Sequence, residues 1–158
     1  MDNDTRSVAL ERLEPFIGNW RMEASFPLAP PARAADGDDS AASAMFEWAL
    51  GGQFVVQRSK APTLAPDSLA IIRFDPGTGA YSQHYFDSRG VVRVYAMTFD
   101  DGVWTLLRDS PDFSPLDFSQ RFTGTFSDDD GSIVGRWESS QDGSTWEHDF
   151  DLTYRKVT

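Results

Sequence analysis

Apolar and polar residues alternate with a period of two along most of this chain. Trp20, Met22, Ala24 and Phe26 are separated by Arg21, Glu23 and Ser25, which predicts a first strand with one apolar face. The stretch before it differs. Val8, Leu10, Leu13 and Phe16 fall near the helical period, Thr5 or Ser7 can cap them, and Pro15 closes the segment. This predicts a helix of about two to three turns. Strand-like runs then follow over 44–50, 53–60, 67–74, 80–87, 91–99, 103–108, 118–126, 132–139 and 146–155. The breaks between them carry turn chemistry, among them Gly51-Gly52, Asp75-Pro76-Gly77, Asp100-Asp101-Gly102 and Gln141-Asp142-Gly143. Glycine supplies positive φ there, and aspartate bonds the turn backbone.

About ten strands joined by short turns, with no helical pattern between them, exclude a parallel sheet. A meander this long must close or split, because a flat sheet leaves reactive edges. The expected fold is therefore all-β: an antiparallel up-and-down β-barrel with a short N-terminal helix, as a single domain over 1–158. Residues 28–43, rich in Pro, Ala and Asp, read as a solvated connection or as a lid over the barrel mouth.

Composition narrows the function classes. The 158 residues include no cysteine, which removes disulfides, thiolate metal sites and cysteine nucleophiles. The formal net charge of −11, from 25 acidic and 14 basic residues, repels phosphate backbones and anionic headgroups, so neither nucleic-acid binding nor membrane insertion is expected. No apolar run resembles a signal peptide or a membrane span, which points to the cytoplasm. Glycine-rich phosphate loops and nucleophile elbows are absent, and two separated histidines do not suit catalytic zinc. Asp128-Asp129-Asp130 reads as a hairpin turn.

A short helix followed by Gly18-Asn19-Trp20 at the start of an antiparallel meander resembles the calycins, the superfamily of lipocalins, fatty-acid-binding proteins and nitrobindin-like haem proteins. Gly51-Gly52-Gln53-Phe54 and the run from Tyr85 to Gly90 are similar to elements of bacterial lipocalin-like proteins. The resemblance implies a tryptophan, here Trp20, plugging the closed end beneath a basic residue of the last strand, Arg155 or Lys156. Met22 and Ala24 stand where nitrobindins carry glycines, and no helical pair follows the first strand as it does in fatty-acid-binding proteins.

Alternation nominates the residues that face the interior. His148 shares a face with Trp146, Phe150, Leu152 and Tyr154. It is expected to be a satisfied interior histidine, a ligand contact, or a haem ligand or general base. Arg58 shares a face with Phe54 and Val56, and Arg93 and Tyr95 share one with Val91, Met97 and Phe99. An arginine inside an apolar barrel needs an anion, either Glu47 or a ligand carboxylate, unless it lies at a solvated rim. Tyr85, Gln120 and Trp137 complete the candidate ligand contacts, whereas His84 lies on the face opposite Tyr85. Gly124 and Gly135 within strands signal bends or close approaches.

The function this predicts is binding of a small hydrophobic or amphipathic molecule, with no cofactor or metal. One alternative is an enzyme or haem protein using His148 in the same cavity. Another is a filled structural barrel that forms a homodimer through exterior aromatics such as Trp48 or Trp104.

Overall fold

The computed structural model describes residues 8–25, 42–61 and 66–157. The proposed caps Thr5 and Ser7, Phe26 and nearly all of the proposed lid lie outside the described residues. Ten strands run as β1 (Gly18–Ser25), β2 (Ser43–Ala49), β3 (Phe54–Lys60), β4 (Ser68–Asp75), β5 (Ala80–Asp87), β6 (Val92–Asp100), β7 (Val103–Arg108), β8 (Ser119–Phe126), β9 (Ser132–Ser140) and β10 (Glu147–Lys156). Each pairs antiparallel with the next, and β1 closes on β10, so the sheet has no free edge. No helix among the described residues is long and apolar enough to cross a membrane.

The segment ahead of β1 closes one end. Residues 8–11 are helical, and a 3₁₀ turn at Glu14–Phe16 follows. Pro15 sits inside that turn rather than ending the helix, because a first-turn proline has no N–H to lose. Leu10, Leu13 and Phe16 are buried, but Val8, expected on the apolar face, is 53% exposed. Phe16 drives its ring among Phe99, Trp104 and Phe126, each with its centroid about 5 Å away. Three side chains tie the segment down: Tyr81 donates to the Ala9 carbonyl, Trp48 Nε1 to Glu14 and Lys156 Nζ to the Pro15 carbonyl.

Trp20 lies under this plug, 1% exposed, with its indole N–H on the Phe16 carbonyl. The cation over its ring is Lys156, at 5.1 Å. Arg155, the first candidate, points outward and pairs with Glu23. Alternation along β10 from Phe150 onward puts Tyr154 and Lys156 inside and Arg155 outside.

The inward glycines mark a close approach. Gly124 and Gly135 are cross-strand partners, and the Phe122 ring lies over both. That ring fills the middle of the barrel between Trp104, at 4.9 Å, and Trp137, at 5.1 Å. Below it the interior is a packed aromatic core; above it, toward the other end, the interior turns polar.

Candidate functional site

Directly paired residues point to the same face, so the register lays out the open half of the interior as rows. One row is Gln57, Ala70, Tyr85 and Arg93, across β3 to β6. A deeper row is Val55, Ile72, Gln83 and Tyr95. Arg108, Gln120 and Ser139 continue the polar lining across β7 to β9. Met22, Ala24, Tyr85, Arg93, Trp137 and Phe150 all face inward and all remain partly exposed. Interior side chains that still meet solvent mean that this end has an open mouth.

The wall has a short side. β7 stops at Arg108, so the N–H of Val94 on β6 has no strand to bond. The carboxylate of Asp112, in the loop after β7, takes it at 2.8 Å. Asp112 also receives a bidentate pair from Arg108, at 2.8 and 3.0 Å, and both side chains are almost wholly buried (4% and 7% exposed). The Arg108 bonds, with the Val94 and Ser114 N–H groups, hold the Asp112 carboxyl far below the ordinary range despite burial.

A second carboxylate sits at the rim. Burial alone would raise the Asp87 pKa, but Arg89, the Tyr85 hydroxyl and the N–H groups of Arg89 and Val91 bring it down to about 2. Two of the three arginines around the mouth are thus matched to carboxylates. Arg93 is not: no carboxylate among the described residues lies in ion-pairing range of it. Its guanidinium stands over the Phe118 ring at 5.8 Å and beside Tyr95.

Both carboxylates predict the acid response. Their folded pKa values lie below the value of about 3.9 in an unfolded chain. Their stabilisation is therefore fully present only above about pH 5 and is lost progressively as pH falls to about 2 and below. Circular dichroism is expected to show unfolding in that window, and Asp112→Asn to flatten the pH dependence.

The apolar part of the lining is aromatic. Trp137 meets Tyr95 at 5.7 Å and stacks near Phe150 at 6.3 Å, with an interplanar angle of 25°. Gln120 accepts the Tyr95 hydroxyl at 3.1 Å. Opposite, Gln57 donates to Ser59 and to Tyr154, whose own pKa burial pushes up to about 12.

Five of the seven nominated residues, Tyr85, Arg93, Tyr95, Gln120 and Trp137, thus share the inner face of the barrel. The other two do not. Arg58 faces outward, 59% exposed, and pairs with Glu47 on the barrel surface at 3.4 Å. The inward face of β3 carries Val55 and Gln57; Phe54 and Val56 face outward with Arg58. His148 also faces outward. A bulge between His148 and Phe150 adds one residue to β10, so His148 pairs with the outward Glu138 and bonds Asp151 at 2.9 Å. His84 is on the exterior as well; burial and then Arg73 lower its pKa. Trp104, a proposed exterior aromatic, is 1% exposed inside the barrel, and Trp48 is half-buried at the closed end. Gln57, Gln83, Arg108 and Asp112 were not nominated; of these only Gln83 shares a face with a nominated residue, Tyr85, because Gln57 lies on the face of β3 opposite Arg58 and Arg108 lies on the face of Trp104, which was read as exterior.

The fold has a solved counterpart. The crystal structure of Rv2717c from M. tuberculosis superposes with a TM-score of 0.60 over 95% of this chain and 98% of that one, at 14% sequence identity. The likeness is one of fold. No protein-family model matches the chain, and no curated protein matches it.

Proposed function

We propose that the protein binds a small, largely apolar molecule bearing an anionic group, within the open half of its barrel. The observation that carries this is Arg93. It is a fixed positive charge on the interior wall, without a carboxylate among the described residues, beside the aromatic lining of Tyr95, Trp137 and Phe118. An arginine fork matches a carboxylate in two hydrogen bonds, and such bonds strengthen where water is thinned out. The Trp20 plug beneath Lys156 supports reading the barrel as calycin-like.

The reading built on His148 lacks its residue, since both histidines of the chain lie on the outer surface. A general base or haem ligand inside this cavity would have to be another group.

The test is a titration of the full chain with decanoate and 2-naphthoate, alongside native mass spectrometry of protein taken from cells. Saturable one-to-one binding is expected, weakened about 10- to 100-fold in Arg93→Met, as loss of a charged hydrogen-bonded contact implies. Absence of binding by both acids, with only the bare chain mass, would sink the proposal.

A further inference from the structure

Gln83 presents an unanswered acceptor inside the barrel. It sits on β5, on the interior face, is 5% exposed, and its Oε1 has no hydrogen-bond partner among the described residues. A buried acceptor left unmatched is costly, so native structures retain few of them without a reason.

The tyrosine and glutamine donors around it are already committed, and the other buried side-chain group without a partner among the described residues, the Trp104 indole N–H, lies in the aromatic core against Phe16. Tyr95, directly across on β6, gives its hydroxyl proton to Gln120. Tyr85, two residues along β5, gives its own to Asp87. Gln57 spends its amide on Ser59 and Tyr154. Arg93 belongs to the next row toward the mouth, two residues along β6 from the partner of Gln83. The rise along a strand puts that row about 7 Å nearer solvent.

We infer that the ligand carries a hydrogen-bond donor, a hydroxyl or N–H, that Gln83 Oε1 accepts one row deeper in the barrel than Arg93, which holds the anionic group. The inference rests on the acid-binding function proposed above and narrows its class. Trp137 and Phe150 stack side by side into one aromatic face, which suits a hydroxy- or amino-aryl acid better than a plain fatty acid. A simple alkyl chain would leave Gln83 buried and unmatched. Sites built to hydrogen-bond a ligand group discriminate strongly against analogues that lack it.

A matched pair of probes tests this on the intact chain. 6-Hydroxy-2-naphthoate and 2-naphthoate share the carboxylate and the ring system and differ by one donor at the far end. The hydroxy compound is expected to bind about tenfold tighter or better. Gln83→Leu is expected to abolish that difference, so that the two probes bind alike, with the melting temperature equal or higher. Arg93→Met should weaken both probes alike.

Equal affinities in the unaltered protein would overturn the inference, because Gln83 would then be answered by water; acid binding would stand. A hydroxyl preference that survives in Gln83→Leu would also overturn it. If neither 2-naphthoate nor decanoate binds, the function fails and the inference falls with it; if decanoate alone binds, the inference is overturned and acid binding stands. Should Gln83→Leu misfold, Gln83→Met repeats the comparison, and the probe pair on the unaltered chain already decides.

Discussion

Replacing Arg108 with alanine is expected to destabilise the protein by about 3–5 kcal/mol, the cost of leaving the Asp112 carboxylate buried without its cation. The size follows from burial: an exposed pair would contribute less than about 1 kcal/mol. Asp112 does three jobs at once. It neutralises Arg108, caps the Val94 N–H beyond the end of β7, and bonds Ser114 to shape the loop. Asp112→Asn keeps one acceptor and should cost less than Arg108→Ala. Denaturant midpoints of the two single variants and the double variant give the coupling energy. A coupling near zero would mean that the pair is solvated and that the loop does not seal this side of the mouth.

Gly135→Ala is the second large effect. An added Cβ would lie 2.5 Å from the Phe122 ring and 2.6 Å from the carbonyl oxygen of Leu152. Alanine ordinarily suits a strand better than glycine by roughly 0.5–1 kcal/mol. Here overpacking reverses the sign, at about 3 kcal/mol or more, because the oxygen belongs to the paired strand and cannot swing away. Gly124→Ala meets side chains alone: Phe122 at 2.7 Å and Ile133 at 3.0 Å. Phe122→Leu should therefore rescue Gly124→Ala more fully than Gly135→Ala. Thermal melts of the four variants check the ordering, and an unchanged melting temperature in Gly135→Ala would contradict this packing.

The fold was legible because nearly every strand alternates cleanly and every turn is marked by glycine or aspartate. The close approach at Gly124 and Gly135 was legible for the same reason, since a bare glycine inside a strand signals a neighbour. The two misplaced residues had physical causes that alternation does not display. Nothing between Glu147 and Phe150 marks a bulge, so Trp146, His148 and Phe150 read as one face although the extra residue turns His148 outward. Arg58 failed because β3 is apolar on both sides. Val56, Ile71, His84 and Val94 form a continuous row on the exterior, whereas the interior face of the same strand carries the polar Gln57.

Other parts were within reach. Once Tyr85 is inside, Gln83 must be inside too; Arg108 shares its face with Trp104 and Leu106, so it follows only once Trp104 is known to be inside. Asp112 was not within reach, because a loop residue has no period and its role comes from where β7 stops.

Binding on the inner wall around Arg93 can be read residue by residue in a ¹H–¹⁵N NMR titration with 2-naphthoate. Saturable shifts are expected at the Trp137 indole N–H, the Arg93 side chain and the amides of Tyr85 and Gln120, with His148 and Arg58 on the outer wall unmoved. Shifts confined to the outer wall, or no saturable shift at Arg93 and Trp137, would contradict it.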